Sequence, residues 1–431
     1  MKLQINAAAL VLVIAMCLLS CKKDFTNPNA PSQQQTFNDE RAVTAVAAGL
    51  QRQYSITALS PLYNIVNANG FTTNELILRN AGNIPELQLA TGGGTVDATN
   101  TVLLNIWTRS SKIIFDADSV IQYANAMVDK NYASGLIGFV SIFKALSLGN
   151  LAQFWEYVPD TTGIAVPFIT RLQGFQKAVA VLNNAITVIN ANAPNALVLS
   201  RLPAGINIPN TLQALKARYA LFAGDYATAL NAANQVVLTQ RSVFNFDALT
   251  QNPVFETATA TNNVFQPVDT TLGLPPALAP NLADRRVPFY VGINTDVTRP
   301  PRYRIGGFYA TGTTAVPVYL PGEIILIKAE ALARQNDLTN ALIELNRVIT
   351  KKPADDIYGV GADLPPVALT TQAEILTEIY RQRSIELFMS GLRLEDQRRL
   401  DRPVSERKRN FFPYPFAERD NNPNTPPNPP F

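Results

Sequence analysis

Two stretches of this sequence concentrate side chains that could handle a hydroxylated ligand. In GFTTNELILRNAGN, residues Asn74, Glu75, Arg79, Asn80 and Asn83 offer hydrogen-bond donors and acceptors for hydroxyl groups. In RRVPFYVGINTDVTRPPRYRIGGFYATG, residues Tyr290, Tyr303, Phe308 and Tyr309 offer flat apolar faces. A sugar ring presents C–H faces to aromatics and hydroxyls to amides and charges, and a few polar groups in an aromatic-lined concavity are the usual form of a ligand site. Each of these residues can equally pack or solvate its own loop. Covalent chemistry has fewer openings, because the chain has no histidine. That removes a serine–histidine triad and the usual zinc ligand sets. Serine–lysine and paired-carboxylate chemistries need neither residue type, but among 33 acidic residues the sequence singles out no catalytic pair. No metal site, no cofactor and no enzymatic activity are expected. The three glycines at 92–94 lie in no strand–helix frame and read as a loop, not a phosphate cradle.

Only two cysteines occur, and both lie near the start, in AAALVLVIAMCLLSCKKDFTNPNAPS. The apolar run from Ala7 to Leu19 is 13 residues long, well short of the roughly 20 that span a bilayer. Behind the positive Lys2 it reads as a secretory signal. LLSC resembles the lipobox of bacterial lipoproteins, whose cysteine is acylated and becomes the first mature residue. Residues 1–20 are thus expected to be removed, with Cys21 the point of lipid attachment. Two or more acyl chains give stable anchoring, at about 0.8 kcal/mol per buried CH₂. Residues 21–35, rich in Asn, Pro, Ser and Gln, read as a flexible tether. Cys17 leaves with the signal and Cys21 carries lipid, so the mature chain has no free thiol and no disulfide. CKKDF looks like the start of outer-membrane lipoproteins of Bacteroidetes, which places the protein on the outer membrane, facing outside.

The remaining 36–431 read as one domain, and the elements that must position the candidate residues are helical. DERAVTAVAAGLQRQYSI has apolar residues at Val43, Val46, Ala47 and Leu50, the spacing of an amphipathic helix. Similar periods cover roughly 101–129, 134–154, 175–191, 210–237, 321–349 and 371–399. Irregular stretches lie near 67–100 and 241–320, and loops of that length are usually functional or disordered. KARYALFAGDYATALNAANQVV (216–237) aligns without gaps on KAEALARQNDLTNALIELNRVI (328–349), with seven of 22 positions identical. Each reads as helix, tight turn, helix, and resembles the tetratricopeptide hairpin, which must stack on neighbours to bury its faces. FKALSLGNLAQFW at 143–155 reads as a third, weaker unit. A formal charge of +3 with 16% charged residues argues against nucleic acid, since the one basic run, SERKRN at 405–410, is short.

Several segments, in order, resemble the SusD/RagB family. They are NIWTRSSKIIFDADSVI, KALSLGNLAQFWEYVPDTTGIAVPFIT, PGEIILIKAEALARQND, EIYRQRSIELFMSGLRLEDQRRL and the closing FFPYPFAERDNNPNTPPNPPF. The resemblance implies a mainly α, SusD-like fold of tetratricopeptide-like hairpins with long irregular loops and little β structure. It implies a lipoprotein that captures oligosaccharides and delivers them to a SusC-like TonB-dependent transporter, with a RagB-like peptide binder as the alternative. Glu386, Arg393, Asp396, Arg398 and Arg399 could clamp an anion, but they suit architectural ion pairs better. Trp107 and Trp155 sit in apolar helical contexts and are expected in the core, which leaves tyrosine to supply any aromatic surface.

Overall fold

The computed structural model describes residues 39–296, 298 and 300–431. The expected signal 1–20, the lipid site Cys21 and the tether 21–35 lie outside the described residues. By internal contacts the chain divides into Met1–Val43 and Thr44–Phe431. Helices α1 (Glu40–Ser55), α2 (Pro61–Thr72), α3 (Ile84–Thr91), α4 (Thr101–Ala126), α5 (Lys130–Phe154), α6 (Arg171–Ala191) and α7 (Ala196–Arg201) occupy the first half. They are followed by α8 (Ile208–Phe222), α9 (Tyr226–Asn234), α10 (Arg286–Tyr290), α11 (Pro321–Arg334), α12 (Leu338–Ile349), α13 (Gln372–Glu386), α14 (Arg393–Arg399) and α15 (Phe416–Asn421).

Strands are two or three residues long. Among the described residues they form four antiparallel pairs: β1 (Leu76–Leu78) with β5 (Phe265–Pro267), β2 (Tyr157–Pro159) with β3 (Phe168–Thr170), β4 (Val243–Phe244) with β8 (Val316–Pro317), and β6 (Val291–Ile293) with β7 (Tyr303–Ile305). The fold is therefore mainly α with little strand, as the sequence implies.

Local chemistry sets the helix ends. Asp129 opens α5 by accepting from the Tyr132 N–H, and Thr170 with Gln173 closes a capping box on α6. Helix α5 is long and apolar enough to cross a membrane, yet 94% of its most apolar window is buried in the protein. It packs between α4 and α6. Gly149 lets α8 pack closely on α5, because a Cβ there would sit 2.2 Å from the Tyr219 ring of α8. Gly149 lies in the middle of continuous helix, so 143–155 contains no turn and is not a third hairpin of the repeat kind.

The two aligned segments do form matching hairpins, α8–α9 and α11–α12. Each turn places a residue at positive φ, Gly224 at 79° and Asn336 at 63°, directly before an aspartate. Asp225 and Asp337 then cap the second helices through the Thr228 and Asn340 N–H groups, at 3.0 and 3.2 Å. Ala229 and Ala341, small enough for close approach, are fully buried.

The charged residues near the C-terminus are architectural. Arg383 bonds Asp396 at 2.9 Å, Arg399 bonds Asp396 at 2.7 Å and also Glu330, and Glu395 receives both Arg171 and Arg398. Buried charges persist only when paired, and here each carboxylate meets a guanidinium. The strap after α14 is held by Trp155 Nε1 on the Pro413 carbonyl at 3.0 Å and Trp107 Nε1 on Glu418 at 3.1 Å. Both tryptophans are buried and pack edge to face, 4.8 Å between ring centres.

Candidate functional site

The two candidate stretches meet across β5. Strand β1 pairs with β5, and Gln266 of β5 accepts from the Ile305 N–H of β7 at 2.8 Å while its own amide donates to the Ala258 carbonyl. The nine candidate residues nevertheless take different roles. Glu75 is buried. Its carboxylate accepts from the Met389 N–H at 3.1 Å and faces Arg393 at 3.4 Å, so it clamps the turn between α13 and α14 instead of meeting a ligand. A carboxylate out of water needs that pairing. Tyr290 and Tyr309 are also buried, and their hydroxyls donate to the Glu386 and Met389 carbonyls at 2.5 and 3.0 Å. Burial, ahead of neighbouring carboxylates, pushes both hydroxyls well above the ordinary tyrosine value.

Asn74, half-buried at φ 64°, donates to the Glu406 carbonyl at 3.2 Å. Asn80 accepts from the Gly82 N–H at 2.9 Å, and Asn83 donates to the Asn80 carbonyl at 3.1 Å, so these two amides shape their own turn. Arg79 is exposed and Tyr303 half-buried, the latter opposite Ile293 with Arg302 5.9 Å from its ring centre.

Three of the nine, Tyr290, Phe308 and Tyr309, line one pocket together with Tyr54, Phe244, Tyr319 and Phe388. Leu62, Phe308, Pro317 and Ser390 are the half-buried residues among its lining. Phe308 packs edge-on to Phe289 and Tyr358, at 5.3 and 5.9 Å. Deeper in, Arg218 of α8 meets Glu323 of α11 through two bonds of 2.6 and 2.7 Å, and also donates to the Val318 carbonyl. Burial opposes the Arg218 charge, but Glu323 more than offsets it and raises the guanidinium pKa. The Tyr54 hydroxyl accepts from Asn150 at 3.3 Å and is pushed up to about 12 by burial. Ser390 Oγ is buried without a partner.

The free space is about 80 Å³. Ligand cavities usually run from roughly 300 Å³, so this one admits a ring edge or a chain end and not a whole oligosaccharide. Its one buried ion pair is Arg218–Glu323, and the rest of its lining is uncharged, which suits binding. Among the described residues no group of three or more His, Cys, Asp or Glu could hold a metal ion. Tyr54, Phe244, Phe388 and the Arg218–Glu323 pair were invisible as site residues in the sequence. They come from helices and turns far apart in the chain, and each sits in an ordinary core pattern.

Residues 305–428 match the model of the SusD family. A crystal structure of a SusD superfamily protein from Bacteroides vulgatus matches with a TM-score of 0.68 at 14% identity, covering 91% of this chain and 99% of that one. The fold is SusD-like. A SusD-like carbohydrate binding protein from Bacteroides fragilis matches with a TM-score of 0.64 at 14% identity, over 85% of this chain and 87% of that one. Another SusD-like carbohydrate binding protein, from Bacteroides vulgatus, matches with a TM-score of 0.64 at 15% identity, over 84% and 83%. No curated protein matches the sequence. The segment that matches the SusD family model begins at Ile305 and carries Phe308, Tyr309, Glu323 and the Leu387–Leu392 wall of the pocket.

Proposed function

We propose that this SusD-like protein captures oligosaccharides or polysaccharide fragments at the outer membrane and passes them to a SusC-like TonB-dependent transporter. Acyl chains on Cys21 would hold it to the membrane with the binding face outward. The observation that carries the reading is the aromatic pocket, where Phe308 is half-buried and the Ser390 hydroxyl has no partner. A sugar could lay a C–H face on that ring and offer a hydroxyl to the serine. Two of the structural relatives above are carbohydrate binding proteins by name, whereas none of those above is named for a peptide. Capture followed by release needs modest affinity, and a pocket that grips one ring edge fits that requirement. The work is binding without a chemical step.

Affinity electrophoresis of the full chain in gels containing individual soluble polysaccharides tests this. Retardation by at least one polysaccharide, reduced in Phe308→Ala, is expected. Mobility unchanged in every polysaccharide, with retention on a mixed-peptide resin, would replace the reading by peptide capture.

A further inference from the structure

A second concavity, away from the aromatic pocket, sets six side-chain amides among four apolar residues. It lies where α6 and the N-terminal end of α8 meet the segment after α9, and its volume is about 350 Å³, within the roughly 300–1,000 Å³ of ligand sites. One wall is rigid. Asn207 caps α8 and donates to Gln240 at 3.2 Å, while Asn210 grips Val237 twice, donating to its carbonyl at 3.0 Å and accepting from its N–H at 2.8 Å. Among the described residues, the side chains of the other amides, Asn190, Gln213 and Gln235, have no hydrogen-bond partner. Between them lie Ile186, Ile189 and an exposed Val237.

No Lys, Arg, Asp or Glu lines this groove among the described residues. An amide both donates and accepts, as a sugar hydroxyl does, so an array of amides pairs with hydroxyls in either sense. It gives an anion no cation to meet, and desolvating a charge against uncharged groups is costly. The groove adjoins the proposed capture site through one residue. The Tyr319 ring lines the aromatic pocket, while its hydroxyl accepts from Asn210 and donates to the Gln240 carbonyl at 3.2 Å.

We propose that this groove is a second subsite for neutral glycan chains, holding by hydrogen bonds a stretch of the same polymer whose other part is gripped in the aromatic pocket. The proposal rests on the glycan reading above and adds to it a preference for uncharged over anionic chains. With no aromatic ring in the groove its own hold is weak, and its effect appears through the raised effective concentration of a chain already captured.

The test uses the full chain and an Asn190→Leu/Gln213→Leu/Gln235→Leu variant. The probes are soluble starch, galactomannan and arabinoxylan, with polygalacturonate as the anionic control. Hydrogen exchange is followed at 186–190, 207–213 and 235–240, and separately at 305–320 and 387–392. The expected result is protection of both regions by a neutral polymer and none by polygalacturonate. The variant should lose protection in the groove segments and bind the polymer about fivefold more weakly, with binding of a short oligosaccharide unchanged. Protection at 305–320 and 387–392 alone overturns the subsite and leaves the capture reading standing. Groove protection by polygalacturonate equal to that by the neutral chains overturns the claimed preference. Protection nowhere overturns both readings.

Discussion

Removing the Arg218 guanidinium should cost far more than removing the whole ion pair it belongs to. Arg218 and Glu323 are 6% and 1% exposed and join the first helices of the two repeated hairpins. In Arg218→Met the Glu323 carboxylate loses both of its bonds and stays buried with no cation. Breaking a buried pair in this way costs about 3–5 kcal/mol, whereas replacing both partners by apolar groups of similar volume is close to neutral. Against a total stability of roughly 5–15 kcal/mol the single change is severe. Urea unfolding of wild type, Arg218→Met, Glu323→Leu and the double variant at pH 7 measures this directly. The double variant is expected within about 1.5 kcal/mol of wild type, after allowing for the lost bond to the Val318 carbonyl. The stranded carboxyl should also bind a proton more readily in the folded than in the unfolded state. The Arg218→Met deficit therefore shrinks as pH falls towards the unfolded carboxyl value. A single variant no less stable than the double, or a deficit indifferent to pH, would refute the claim that this pair stands in a dry interior.

The tyrosines give a second pH signature. Burial raises Tyr54, Tyr319 and Tyr414 from 10.0 to about 12, so their contribution is complete below pH 10 and is lost as pH rises towards 12. The part of the tyrosinate absorbance that their Tyr→Phe variants lack should then rise together with loss of the circular-dichroism signal, and its appearance well before unfolding would contradict it. Glu86 is shifted the opposite way to a paired carboxylate: burial raises its pKa above 4.5, outweighing the bonds from its own N–H and, at 3.1 Å, from Asn67, which pull it down. Stability therefore falls as pH rises through that window. Glu86→Gln should melt higher than wild type at pH 7 and equally at pH 4, and an equal or lower melting temperature at pH 7 counts against it. Gly149→Ala should cost about 1–3 kcal/mol through the clash with Tyr219, read as a lower urea midpoint. Substitution without cost would mean that the α5–α8 layer is looser than its geometry.

The helical frame was legible because most of its helices are half-exposed and keep an apolar period. Helix α2 was missed for the opposite reason. Every residue of it but Leu62 is buried, so its Asn-rich sequence alternates nothing, and only Ser60 before Pro61 marks its start. The stretch 371–399 read as one helix but is two, α13 and α14, because Met389 at φ 59° and Gly391 at φ 80° form a turn. Gly391 is required there, since a Cβ would meet Ile65 at 2.3 Å.

The site was legible only in part. Residue type suggested Tyr290, Phe308 and Tyr309, and the fold does gather them in one pocket. Type alone could not show that the Tyr290 and Tyr309 hydroxyls, and the Glu75 carboxylate, hold the Glu386–Arg393 backbone. That depends on which face turns inward, and loops without a period carry no such mark. The residue left half-buried at the pocket, Phe308, is the one of the three without a polar group to satisfy.

The most direct measurement is a calorimetric titration of the full chain with the polysaccharide that retards it best, run beside Phe308→Ala. Saturable binding with a negative heat-capacity change is expected, weakened about tenfold by the substitution, the roughly 1.4 kcal/mol expected of one lost ring contact. Saturable binding that Phe308→Ala leaves unchanged would contradict a role for the aromatic pocket, and the absence of heat with glycan at two well-separated temperatures would contradict sugar capture itself.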